Sequence, residues 1–594
     1  MNKNNNTKKI DKHALKRLMK ELLSHRILFF LAIVTTILGS LGTIFAPLIL
    51  AEATTELFNG IIAMVRGLGS VNFDKIASVL VKATILNAFS TVFAGIQGYI
   101  VTTLTEAVTY DLRNDMMEKL NRLPMSYYES KNVGETLSVM INDSENLGGS
   151  LAQTASSLLT SITTMIGMGL VMLYMNVPMA LIVLISVPVS IALIKLIVNK
   201  SQLHFIRQQR ILGNITGLVE ESFAGVNVIR GFNKEEDTLD SFQKLNYKLQ
   251  ESGWRAMFYS SIIFPLMDFV NNLSYVLVVL SGALFALKGI IAVGMIQAFI
   301  QYSNRFFGPI VTVSQSITLL QNVSASAKRI YTLLDEVEED QLKGEDLDVE
   351  AVHGYVTTDH VSFGYLPDQT IINDFSVKVK PGEKVAIVGP TGTGKSTIVK
   401  LLMRFYDVNS GKILLDDKDI SAYSRSSFQQ ATAMVLQDTW LFKGSIMENV
   451  RYGNMDASDE EVINACKSAR VHDYIMTLPG GYDFELNEDA DNVSQGQKQL
   501  LTIARALIAD RPILILDEAT SSVDTRTEQL IQDAMDELME GRTSFVIAHR
   551  LSTIKNSDTI LYMEDGDVVE QGNHDELMAL GGRYAALYKS QFAA

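Results

Sequence analysis

The sequence predicts an all-α membrane domain of six transmembrane helices fused to a cytoplasmic α/β domain built around a phosphate-binding loop (P-loop). Three observations carry that prediction. Long uncharged stretches crowd the first 330 positions, a glycine-rich loop follows an apolar strand at 384–388, and a second apolar strand at 513–516 ends in paired carboxylates. The overall numbers agree. Of 594 residues 47% are hydrophobic and only 20% charged, and the mean hydropathy is +0.16. The formal charge of −15 argues against a nucleic-acid binder, which concentrates Lys and Arg. A single cysteine, Cys466, excludes an internal disulfide or a Cys-based zinc site and fits a reducing compartment.

The spans follow from charge-free length, since a helix needs about 20 apolar residues to cross the hydrocarbon core. Ile27–Ala51 and Ala83–Thr105 carry no charge and give spans one and two. Asn146–Ile194 is also uncharged, too long for one helix, and is expected to fold back at Asn176-Val177-Pro178 as spans three and four. Ala256–Leu287, interrupted only by Asp268, and Ile290–Ala327, interrupted only by Arg305, supply spans five and six. Lys and Arg gather in the first 26 residues, in 106–145 and in 195–255, which predicts that both termini are cytoplasmic. Leu15, Leu18, Met19 and Leu22 make residues 1–26 an amphipathic interfacial elbow. The cytoplasmic segments after spans two and four show helical periodicity, as in Leu112-Met116-Leu120. The expected boundaries are 27–330 for the membrane domain, 331–354 for a solvated acidic linker, and 355–594 for the α/β domain.

The chemistry lies in that last domain. Gly389-Pro390-Thr391-Gly392-Thr393-Gly394-Lys395-Ser396-Thr397 stands between the strand Lys384–Val388 and an apolar helix expected over Ile398–Phe405. Glycines let successive N–H groups wrap phosphate oxygens at a helix N-terminus, Lys395 reaches the β/γ-phosphates, and Ser396 serves Mg²⁺. At the end of Ile513–Leu516, Asp517 suits the Mg²⁺ shell and Glu518 the polarising of an attacking water.

Val493-Ser494-Gln495-Gly496-Gln497 resembles LSGGQ, the signature motif of ATP-binding-cassette (ABC) proteins. By the same resemblance Tyr365 is the aromatic that stacks on adenine, Gln437 the Q-loop glutamine that also serves the metal, Ser522-Val523-Asp524 the D-loop, and His549 the switch histidine on the γ-phosphate. The whole chain resembles an ABC exporter half-transporter. Leu112–Asp143 looks like its first coupling loop and Glu220–Phe232 its second. The resemblance implies ATP and Mg²⁺ as cofactors and a second half-transporter as partner, each ATP lying between the P-loop of one half and the signature (here Ser494, Gln495, Gly496 and Gln497) of the other. It implies ATP-driven export of hydrophobic or amphiphilic small molecules from a bacterial plasma membrane, with multidrug efflux the expected assignment. Lipid or peptide export and a nucleotide-gated channel or sensor are the alternatives.

One departure stands out. Gln495 replaces the signature glycine, and Asn487-Glu488-Asp489-Ala490 replaces the usual Gly-Glu-Arg-Gly, whereas Lys395, Gln437, Asp517, Glu518 and His549 are all present. This asymmetry resembles heterodimeric bacterial exporters. It predicts a partner with an intact signature and an altered Walker B glutamate, with a homodimer as the alternative. Asp268 and Arg305, ionisable residues within spans, are the candidates for substrate contact. Met165, Met168, Met172 and Met175 share a helical face, expected to pack against other helices rather than to line a cavity.

Overall fold

The computed structural model describes residues 11–339, 343–366, 368–436, 439–517, 524–548 and 551–592. They form two compact units: Met1–Lys119 with Val133–Glu336, and Leu120–Asn132 with Val337–Ala594. Residues 120–132, placed inside the membrane domain by the sequence reading, therefore belong to the second unit.

Eleven α-helices and one π-helical turn, Val139–Asp143, cover residues 12–334: α1 Lys12–Ser24, α2 Arg26–Val65, α3 Phe73–Asn121, α4 Met125–Ser130, α5 Val133–Ser138, α6 Ser144–Met175, α7 Val177–Ala224, α8 Val226–Gly231, α9 Glu235–Ser261, α10 Ile263–Leu287 and α11 Val293–Leu334. All but α4 lie in the first unit or reach into it. Asp11 caps α1 by accepting from the amides of His13 and Ala14. The expected apolar stripe divides there: Leu18 and Leu22 are buried, whereas Met19 is exposed. Arg17 lies over the Tyr331 ring at 4.3 Å and pairs with Asp335 at 2.6 Å, fastening α1 to α11.

The fold-back at Asn176 is present. This residue ends α6 in an extended conformation, and its side chain accepts from the Met179 amide to cap α7, with Pro178 in the first turn, where a missing N–H costs nothing. Five helical stretches among the described residues are long and apolar enough to cross a membrane: Arg26–Val65, Phe73–Asn121, Val133–Met175, Val177–Ala224 and Glu235–Leu287. The sixth span expected over Ile290–Ala327 falls in α11, which is not among these five; its Gln297, Gln301, Asn304 and Arg305 dilute its apolar character. Packing explains how α11 tolerates them, because Ala298, Phe299, Tyr302, Phe306 and Ile310 are buried among other helices. The Tyr302 hydroxyl donates to the Ile44 carbonyl at 2.7 Å, satisfying a group that has no water to turn to. Met168 and Met172 are fully buried in the same cluster and Met165 and Met175 pack on it, so the methionine stripe serves helix packing.

In the second unit a ten-stranded sheet has the order β5-β4-β1-β2-β12-β11-β3-β10-β9-β6. Its strands are β1 Val356–Phe363, β2 Ile372–Val379, β3 Lys384–Val388, β4 Ser410–Leu415, β5 Lys418–Asp419, β6 Thr432–Val435, β9 Ile513–Asp517, β10 Thr543–Ile547, β11 Thr559–Glu564 and β12 Asp567–Gly572; β7 Gly444–Ser445 and β8 Glu485–Leu486 form a small ribbon. The run β6-β9-β10-β3-β11 is parallel. Parallel strands are covered on both faces, which is why they read as continuous apolar runs. In β3, Val385 and Ile387 enter one core and Ala386 and Val388 the other, as the two-residue period demands. Cys466 is buried in one of these cores, and burial pushes its thiol pKa up to about 12.

The acidic run expected to be a solvated linker is largely exposed and also makes contacts along this unit. Glu339 pairs at 3.1 Å with the buried Arg425, Glu345 pairs with Lys418 at 2.5 Å, and Asp346 accepts from Ser424. Of these carboxylates only Glu339 is sheltered, while Glu345 and Asp346 stay exposed, and their partners are ones that local charge counting does not see. Asp340–Leu342 lie outside the described residues.

Candidate nucleotide site

The phosphate loop leaves the carboxyl end of β3. Its helix runs over Lys395–Leu402, starting three residues before the expected Ile398 and ending before Phe405. Gly394, at φ +97, starts the helix there, and Arg404, at φ +51, breaks it. A Cβ on Gly389 would fall 2.3 Å from the Met563 carbonyl oxygen, and one on Gly394 2.5 Å from the Ile372 side chain. At these two positions the cradle admits only glycine. Lys395 donates through Nζ to the carbonyls of Gly389 and Pro390, at 2.7 and 2.8 Å, across the loop it closes. Burial pulls the Lys395 pKa below its ordinary value and the Asp517 carboxylate opposes that shift. Such an ammonium gains most from an anion brought to it. Thr393 and Thr397 are buried, whereas Pro390, Thr391, Gly392 and Ser396 are open to the cradle's exposed side or half-open.

Register puts the carboxylate end of β9 in line with this loop. Ile387 pairs with Ile547, and Ile547 with Asp517, so Asp517 stands two strands away, about 10 Å, at the same carboxyl edge. Ligands of parallel α/β sheets bind at that edge. Gln437, Glu518 and His549, with Ser522 and Val523 of the D-loop, lie outside the described residues. In sequence, Gln437, Glu518 and His549 follow closely on β6, β9 and β10, which end at Val435, Asp517 and Ile547. Asp524 is described. It caps the helix Thr525–Met539 by accepting from Arg526 and Thr527, and these bonds, that of Thr527 foremost, hold its pKa below the usual carboxylate value.

Tyr365 follows β1 and is held in an aromatic cluster, edge-on to Phe363 and Tyr406 at 5.1 Å each. Its hydroxyl lies 3.4 Å from Thr397 of the loop helix, and Lys400 stands 5.3 Å over its ring. This places an aromatic face beside the phosphate cradle, as base stacking needs. The same cluster holds α4: Glu129 accepts from Lys400 at 2.7 Å and from the Tyr406 hydroxyl at 2.7 Å. Of Glu220–Phe232, expected as the second coupling loop, residues 220–224 end α7 and Val226–Gly231 form the short helix α8.

Ser494 caps the helix Gln495–Ala509 in a reciprocal capping box: its hydroxyl accepts from the Gln497 amide and the Gln497 side chain accepts from the Ser494 amide. The next amides, of Gln495 and Gly496, donate to nothing among the described residues, which leaves two N–H groups at a helix N-terminus for an anion. Ala490, where the family carries glycine, sits at φ +49.

These elements match two family descriptions in chain order: ABC transporter transmembrane region over residues 29–310 and ABC transporter over 372–521. The fatty acid ABC transporter ATP-binding/permease protein of Mycobacterium bovis is 40% identical, covering 96% of this chain and 95% of its own. The chain belongs to the ABC transporter family. It is an exporter half-transporter, an ATPase coupled to transport, embedded in a membrane by several helices and working with ATP and Mg²⁺ in a dimer. An ATP-dependent lipid A-core flippase of Syntrophus aciditrophicus is 32% identical over 84% of this chain and 82% of its own. A solved bacterial Atm1-family ABC exporter with ATP bound superposes with a TM-score of 0.77 at 28% identity, covering 96% of this chain and 99% of that one.

ATP with Mg²⁺ fits the residues present. The glycine cradle and Lys395 would hold the phosphates, Ser396 and Asp517 the metal, and Tyr365 the base. Asp268 and Arg305 are both exposed, and neither makes an ion pair or hydrogen bond among the described residues. Beside them Asn271 donates to Asn304 at 3.1 Å, joining α10 to α11. The sequence reading missed Thr439, Lys400, Tyr406 and Arg505, whose roles arise from partners 35 to 277 positions away.

Proposed function

We propose that this chain exports hydrophobic or amphiphilic compounds across a bacterial plasma membrane, with its termini in the cytoplasm, and that its cargo is a lipid-type amphiphile with an anionic head. The observation that carries the reading is a complete phosphate cradle fused to a helical membrane unit whose α11 exposes an unpaired Arg305. The fatty acid transporter among its relatives supports the acyl cargo. Multidrug efflux is the second reading, favoured by the unpaired carboxylate of Asp268, which suits lipophilic cations. In this proposal Gln437 and Asp517 hold Mg²⁺ with Ser396, Glu518 polarises the attacking water, and His549 contacts the γ-phosphate. Ser494–Gln497 face the ATP held by the other half.

The partner is a second, non-identical half with an intact signature and an altered residue at the Walker B glutamate. The contrast between Gln495 and the full hydrolytic set here supports that assignment. Gentle solubilisation of native membranes and mass spectrometry of a tagged chain test it: a second six-span cassette protein at equal stoichiometry is expected, and this chain alone would establish a homodimer. For cargo, substrate-stimulated turnover is compared between fatty acids and cationic drugs. R305A should remove stimulation by the former and D268N by the latter.

A further inference from the structure

The glutamine that replaces the signature glycine is not idle. Gln495 donates through Nε2 to the Thr439 hydroxyl at 3.2 Å, a residue 56 positions earlier and only two after Gln437. Ten residues further along the same helix, Arg505 binds the same segment again. Its guanidinium donates to the Trp440 carbonyl at 3.0 Å and, through Nε, to the Asn449 carbonyl at 2.8 Å. Asn449 is itself buried and closes that segment by exchanging hydrogen bonds with the backbone of Phe442. The signature helix is therefore joined to the stretch after Gln437 at two points. One is the half-buried Arg505 anchor. The other is the Gln495 tie at the N-terminal turn, where the free amides lie. A glycine at 495 could make no such tie.

We propose that Gln495 and Thr439 are positioning residues that pin the N-terminal turn of the signature helix to the segment following Gln437. Through this bond the nucleotide state of this chain's own site is felt at the signature it offers to ATP held by the other half. The inference rests on the reading that Ser494–Gln497 face that second ATP. The Gln495–Thr439 bond adds to the Arg505 anchor a tie at the signature itself, and coupling through it is reciprocal for binding.

The test is a double-mutant cycle on the assembled full-length transporter in lipid nanodiscs, with ATP titrated against turnover. T439V removes the hydroxyl at nearly constant volume, Q495A removes the donor, and T439S keeps the hydroxyl. T439V and Q495A should each raise the ATP concentration for half-maximal turnover by about fivefold, the factor a single net hydrogen bond commands. The double variant should go no further, and T439S should restore the unaltered titration. A T439V titration identical to the parent, or additive effects in the double variant, overturns the proposal. S494A separates the two levels. If S494A lowers turnover while T439V changes nothing, only the tie is wrong. If S494A too leaves ATP binding and turnover unaltered, the signature reading falls and the tie with it.

Discussion

Replacing Glu129 by alanine removes the carboxylate that holds α4 in the second unit. The helix has six residues and no buried side chain, too short to persist without external contacts. Glu129 makes two bonds of 2.7 Å, to the Lys400 ammonium and to the Tyr406 hydroxyl. Burial and the Glu129 carboxylate both push the Tyr406 pKa upward, so the hydroxyl remains a donor throughout the accessible pH range. A sheltered charge-assisted bond contributes roughly 1.5–3 kcal/mol. The side chains of Glu129 and Lys400 are 28% and 31% exposed, so solvent screening trims the sum. A loss of about 2 kcal/mol for E129A corresponds to roughly a thirtyfold drop in the docked population of α4. If this docking carries the signal between cargo and nucleotide, substrate stimulation of ATP hydrolysis collapses in E129A. Basal turnover, which depends on the P-loop, continues. The measurement is ATPase activity in nanodiscs with and without cargo, for E129A, K400A and the pair. Non-additivity of the pair is expected; full stimulation in E129A would refute the reasoning.

Further predictions follow from single residues. K395A should abolish nucleotide binding measured by equilibrium dialysis, since it removes the ammonium that closes the loop through the Gly389 and Pro390 carbonyls. G389A should do the same without unfolding the chain, because its methyl meets the Met563 carbonyl at 2.3 Å and the cradle must open. A490G relieves the left-handed backbone at φ +49 but deletes a buried methyl, so thermal stability should change by less than about 1 kcal/mol in a melting experiment. With its pKa pushed to about 12 and its thiol buried, Cys466 should resist alkylation by iodoacetamide at pH 8 in the folded protein and react fully in denaturant.

Much of this architecture was legible because its signals are local. The turn at Asn176 could be read from a charge-free stretch too long for one span, and β3 from an apolar run ahead of glycines, because burial on both faces leaves no other composition. The helix start at Lys395 was missed by three residues, since the conformation of Gly394 decides it and the apolar pattern begins only at Ile398. The acidic run is mostly exposed, as its charge implies, but its ion pairs with Arg425 and Lys418, 73 to 86 positions onward, could not be read locally. The sixth span expected over Ile290–Ala327 rests on its lack of charge alone, because the polar residues of α11 keep it out of the stretches apolar enough to cross a membrane among the described residues. Gln495 drew attention as a departure. Its bond to Thr439 was invisible until the fold brought the two together.

Under the proposed function, ATP turnover at Glu518 drives export of an amphiphile. The most direct test is transport of a labelled fatty acid into the lumen of inside-out proteoliposomes carrying the co-purified complex, comparing the parent with E518Q. Lumenal accumulation that requires ATP and Mg²⁺ and vanishes in E518Q, while ATP binding persists, is the predicted result. Equal accumulation in the parent and E518Q, or ATP turnover without movement of either the fatty acid or a cationic drug, would contradict it.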